Sequence, residues 1–95
     1  VVKDFGPEGP GLLSFPKPGI TFAIDLPVTD ATPALVGRLN DTVAAEGGRV
    51  YLTKDAFTSR EHFQAMELRL AAFDDVRRRW DPDRKIRSAQ SVLLL

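Results

Sequence analysis

The chain has 95 residues, 43% of them hydrophobic, enough for one small domain with a modest core. Thirteen basic residues balance thirteen acidic ones, so net charge recruits neither nucleic acid nor an acidic membrane surface over long range. The absence of cysteine excludes disulfides and thiolate metal sites, the single histidine, His62, leaves little for a zinc site, and no apolar run is long enough to span a bilayer. With no basic-then-apolar leader at its start, the chain reads as cytoplasmic. It begins at Val1, without methionine, in the strand-like run VVKDFG, so residues 1–95 are expected to be one segment of a longer protein.

In chain order, Val1 to Phe5 is a possible strand, followed by a loop over GPEGPG, Gly6 to Gly11. Prolines 16 and 18 hold Phe15 and Lys17 extended. The alternating ITFAIDL then predicts a strand over Ile20 to Leu26, with Ile20, Phe22, Ile24 and Leu26 toward the core and Thr21, Ala23 and Asp25 on the other face. Thr32 and Pro33 open a helix, expected over Pro33 to Glu46, whose apolar side carries Leu35, Val36, Leu39 and Val43 and which Gly47 or Gly48 stops. A short strand is expected over Arg49 to Leu52. Thr58 and Glu61 form a capping-box pattern for a helix over Ser59 to Arg79, with Phe63, Met66, Leu70, Phe73 and Trp80 at helical spacing. The tail SAQSVLLL needs cover and is compatible with helix or strand. The predicted class is α+β: an antiparallel sheet with two main helices packed on one face. Phe22, Ile24, Leu39, Val43, Phe63, Met66, Leu70 and Phe73 are the expected core.

The residues by themselves present no self-sufficient active site. GPEGPG carries two prolines and opens no helix, so it is not a nucleotide-binding glycine loop. His62, in a first helical turn among Arg60, Glu61 and Gln64, reads as a solvated helix residue rather than a base or ligand. Arg77, Arg78 and Arg79 could grip a phosphate, but such a run is more often the solvated end of a helix, where positive charge suits the dipole. Lys54 reads, without further context, as an exposed lysine loosely paired with Asp55.

GGRVYLTKD, followed by the helix SREHFQAM and a long helix closing on WDPDRKIRS, resembles the C-terminal end of FAD-linked sugar oxidases of the vanillyl-alcohol-oxidase superfamily. The likeness is greatest to the decaprenylphosphoryl-ribose 2-oxidase group, and the upstream VVKDFGPEGPGLLSFPKPGITFAIDLP extends it over nearly the whole chain. The resemblance implies a larger FAD-binding domain outside these residues, with this segment in the cap or substrate domain. It also implies that Lys54 reaches the flavin pyrimidine edge and the substrate pocket, with Tyr51 beside it on the same segment. Lys3, in KDFGP, corresponds to a pocket lysine, with a solvated strand face as the competing reading. Thr21 stands where the family has asparagine, so the hydrogen bonds offered to substrate differ. Ala89 stands where an acid is common. Tyr51 is expected to be partly buried with its hydroxyl bonded, and only secondarily a substrate contact.

The resulting expectation is part of an FAD-dependent oxidoreductase acting on a hydroxyl of a sugar or polyol, polyprenyl-phosphate-linked in the nearest family. The segment alone should lack FAD and turnover, and it should self-associate through the surface that its parent covers. The rival reading is a stand-alone α+β binding or dimerisation module without flavin. Neither reading involves nucleic acid or a transmembrane segment.

Overall fold

The computed structural model describes all 95 residues. Strands β1 (Val2–Phe5) and β2 (Gly19–Phe22) pair antiparallel, with Val2 opposite Phe22, Lys3 opposite Thr21, Asp4 opposite Ile20 and Phe5 opposite Gly19. They are followed by α1 (Thr32–Ala45), a 3-10 turn (Leu52–Lys54), α2 (Arg60–Met66), α3 (Leu70–Trp80) and α4 (Ala89–Leu94). The fold is α+β. The helices pack on one another, with α2 lying between α1 and α4. Phe63, Met66 and Leu94 are the buried apolar residues. Val43, Leu70 and Phe73 are half-buried around them, and Leu39 is on the surface.

The ribbon's register differs from the expected one. Ile20 and Phe22 share a face with Val2, and all three are about two-thirds exposed, as is Ile24 beyond the strand, whereas Thr21 on the opposite face is half-covered. Period-2 alternation identifies two faces but not which one meets a second layer. Here the side of Lys3, Phe5 and Thr21 turns inward: Phe5 packs edge-on against Phe15 at 5.6 Å, and Phe15 lies against Tyr51 at 5.1 Å. The strand also ends at Phe22, and residues 49–51 form an extended connection into the 3-10 turn rather than a strand.

Two of the expected caps have moved. Thr32 is already helical, and its buried hydroxyl donates to the Pro27 carbonyl at 2.8 Å while accepting from the Thr29 amide. Ser59, not Thr58, caps α2, accepting from the His62 amide. Thr58 is buried instead, its amide held by Asp55 Oδ2 at 2.9 Å and its hydroxyl accepting from Asn40 Nδ2 of α1 at 3.1 Å. At the other end of α1, Gly47 takes φ +67. The Gly48 amide then bonds the Val43 carbonyl and the Gly47 amide the Ala44 carbonyl, the paired closure that a left-handed residue permits.

The expected helix over 59–79 is two helices. Glu67 leaves the helix at ψ 87, and its carboxylate turns back to accept from the Arg69 amide and guanidinium, which stops α2 at Met66 and restarts the chain at Leu70. The tail is helical, opened by a reciprocal Ser88–Ser91 cap. With seven of 95 residues buried and a radius of gyration of 14.3 Å, against about 12 Å for a compact chain of this length, the molecule is open for its size.

Candidate functional site

The four residues singled out for chemistry sit on the ribbon and on the segment of the 3-10 turn. Lys3 and Thr21 are cross-strand partners on the inward side of the ribbon, the side that carries Phe5. Phe5, Phe15 and Tyr51 form a run of ring contacts, edge-on and then tilted, from the ribbon to the segment before the 3-10 turn, and Lys54 ends that turn. Tyr51 is 46% exposed, more than expected, and its hydroxyl has no partner within the chain. The side chains of Lys3, Thr21 and Lys54 likewise make no hydrogen bond or ion pair, so the structure joins none of these four groups to another.

Lys54 is not paired with Asp55. That carboxylate is committed to the Thr58 amide, where it shapes the turn into α2, and the ammonium of Lys54 is left exposed and uncompensated. The juxtaposition of Tyr51, Lys54 and Asp55 therefore resolves into one structural acid and two groups that face outward.

An ionic cluster around the buried Glu67, which sequence reasoning missed, fastens the loop after β1 to the segment bearing Tyr51. Arg49 bonds Glu8 at 2.6 Å and the Ser14 carbonyl, Arg69 bonds the Gly11 and Ser14 carbonyls, and Lys17 bonds the Gly47 carbonyl. These bonds hold the loop bearing Phe15 against the segment bearing Tyr51. Glu67 sits beneath both arginines at 6% exposure. Burial pushes its carboxyl upward, but the Arg69 hydrogen bonds and the charges of Arg69 and Arg49 outweigh it and leave the group below its ordinary 4.5. The Arg49 bond likewise draws the exposed Glu8 down. A signal for the cluster was present: Glu67 stands four residues after Phe63 and three before Leu70, an acid on an apolar helix stripe.

His62 is not solvated. Its Nε2 meets Asp41 Oδ1 of α1 at 2.8 Å and its Nδ1 meets Ser59 Oγ at 3.1 Å, with the side chain 22% exposed. Because Ser59 is also the cap of α2, the arrangement ties α1 to α2 rather than arming a nucleophile. A cleft of about 270 Å³ beside Gln64, Leu70, Phe73 and Leu95 has Asp74 and Arg84 paired at its rim and no convergent donors for a ligand. No three metal-ligating side chains converge.

Comparison with known proteins supplies what geometry alone does not. No family model matches the chain. Over 83 residues it is 40% identical to decaprenylphosphoryl-beta-D-ribose oxidase of Mycolicibacterium smegmatis, covering 87% of this chain and 18% of that one. This chain resembles part of that oxidase. A Streptomyces coelicolor protein, named as an uncharacterized protein in the mprA 5'region, is 39% identical over 83 residues, 86% of this chain and 23% of its own length. The chain thus spans about a fifth of the curated relatives it matches, and the likeness read from the two motifs holds across most of its residues.

Proposed function

We propose that these residues form part of an FAD-dependent oxidoreductase that oxidises a hydroxyl of a sugar or polyol, of the polyprenyl-phosphate-linked kind for which the Mycolicibacterium relative is named. The observation that carries this reading is the 40% identity over 83 residues to that oxidase. The residues present suit a flavin edge: an uncompensated ammonium at Lys54 and an unbonded hydroxyl at Tyr51 are donors without internal partners.

When bound, the flavin supplies the hydride acceptor. With that group held beside it, Lys54 would stabilise its negative charge, a role that depends on the ammonium not being neutralised by Asp55. Tyr51, braced on Phe15, orients from the same segment. Lys3 and Thr21 face the substrate from the ribbon, the threonine hydroxyl donating one bond and accepting another where an amide would offer both a carbonyl and an amine.

The test is direct. The longer polypeptide carrying this chain, purified and mixed anaerobically with a polyprenyl-phosphoryl pentose, should contain bound flavin that bleaches on mixing. A colourless protein, or flavin that no sugar or polyol reduces, would refute the reading.

A further inference from the structure

The 3-10 turn that presents Lys54 is weakly held from within. It is three residues long and closes on two backbone bonds, from the Lys54 amide to the Tyr51 carbonyl at 3.1 Å and from the Asp55 amide to the Leu52 carbonyl at 3.4 Å, and no side chain caps it. Bonds of this kind have poor geometry, and none of the three residues is buried, so packing does not fix them either. Beyond Lys54 the chain is anchored where Asp55 accepts from the Thr58 amide. Before Lys54, one side chain reaches the backbone of the turn: Gln90 of α4, 38 residues away, whose Nε2 donates to the Leu52 carbonyl at 2.9 Å.

Gln90 can hold the turn because α4 is itself held. Leu94 is 3% exposed, and the Arg60 guanidinium donates from α2 to the Val92 and Leu93 carbonyls at 2.8 and 2.9 Å, a planar fork closing on the free acceptors at the end of α4. The Ser88–Ser91 cap fixes the other end of the helix, so Gln90, in its first turn, has a defined place. The start of α2 thus braces the Lys54 turn from both sides, Thr58 through Asp55 and Arg60 through α4 and Gln90. Burial of Leu94 accounts for an apolar tail helix, but it does not require an amide at residue 90 aimed at the Leu52 carbonyl.

We propose that Gln90 is a positioning residue that fixes the turn bearing Lys54, and with it the place of the ammonium at the flavin. The proposal rests on the role given to Lys54 in the oxidase reading. Its test uses the longer polypeptide carrying this chain, in which Gln90→Met keeps side-chain length and helix propensity and removes the donor. Amide hydrogen exchange over residues 52–55 should rise, while the unfolding midpoint stays within the range of surface substitutions. Anaerobic flavin reduction at saturating substrate should slow roughly 10-fold, because the ammonium is kept but its placement is not. In a Lys54→Met background the same change should slow reduction no further, a coupling that general loosening of the site would not produce. Exchange equal to that of the wild-type protein, reduction at the wild-type rate, or the full loss repeated in the Lys54→Met background would overturn the proposal. A protein whose flavin no sugar or polyol reduces would instead refute the oxidase reading, and the exchange measurement would still decide whether Gln90 holds the turn.

Discussion

Replacing Glu67 by glutamine should destabilise the chain far more than an ordinary surface change. The carboxylate accepts three hydrogen bonds from Arg69 at 2.9, 3.0 and 3.1 Å and lies 3.9 Å from Arg49 Nε, a buried nitrogen with no hydrogen-bond partner of its own. Glutamine keeps the shape but removes the charge and turns an amine toward the guanidinium groups. Breaking a buried ion pair costs about 3–5 kcal/mol, and because the Arg69 side chain keeps a fifth of its exposure the lower figure, about 3 kcal/mol, is expected here. Total stability for this length is roughly 5–14 kcal/mol, and three buried apolar side chains put this chain near the bottom of that range, so about half would be lost. Urea unfolding followed by circular dichroism measures it. The pH dependence gives a second reading. The native carboxyl titrates below its ordinary 4.5, so its contribution is complete above the unfolded value and is lost as pH falls through the native one. The wild-type chain should therefore weaken in acid more steeply than Glu67→Gln, and Glu67→Asp should retain part of that slope. A loss under about 0.5 kcal/mol, within the range of ordinary surface changes, or parallel acid profiles would refute the reasoning.

A glycine within α1 and one just past its end should respond oppositely: Gly47→Ala forces a side chain into φ +67 and should cost about 1–2 kcal/mol, whereas Gly37→Ala, mid-helix with open space around the added methyl, should add about 0.5–1 kcal/mol in the same assay. Thr58→Ala strands the buried Asn40 amide and should cost about 1–3 kcal/mol, with Thr58→Ser recovering most of it. The uncovered face of Val2, Ile20 and Phe22 should make the isolated chain self-associate; sedimentation should reveal mass rising with concentration, reduced by Phe22→Ser, and a clean monomer at high concentration would contradict it.

Local signals were legible where one residue type decides the backbone. Thr32-Pro33 and Gly47 bounded α1 within a residue or two, and the spacing of Phe63 and Met66 found the buried side of α2. What failed depended on partners distant in sequence. Phe22 and Ile24 alternate as a core strand does, yet no layer of this chain covers them, and alternation cannot report that. The break at Glu67 comes from Arg69 and Arg49 meeting one carboxylate, which overrode a continuous apolar stripe. The tail was ambiguous until the Ser88–Ser91 cap and the burial of Leu94 against the other helices decided it. Of the candidate residues, Lys3 and Thr21 are cross-strand neighbours, and the Tyr51 ring lies against Phe15, which in turn meets Phe5 of the same strand as Lys3, a contact that no motif marked.

Lys54 is the residue on which the proposed function depends, and replacing it by methionine in the proposed flavin enzyme isolates its charge. The side chain is exposed at the end of a turn and bonded to nothing, so the fold should be unaffected and flavin should remain bound. In anaerobic stopped-flow at saturating substrate, flavin reduction should slow by something on the order of 10² to 10³, the loss that follows removal of one preorganised donor to a developing anion. Substrate affinity should change little, since a loss confined to affinity would mean a group used equally in ground and transition states. A reduction rate equal to that of the wild-type enzyme would contradict the assignment and leave Lys54 a solvated lysine at the end of a turn.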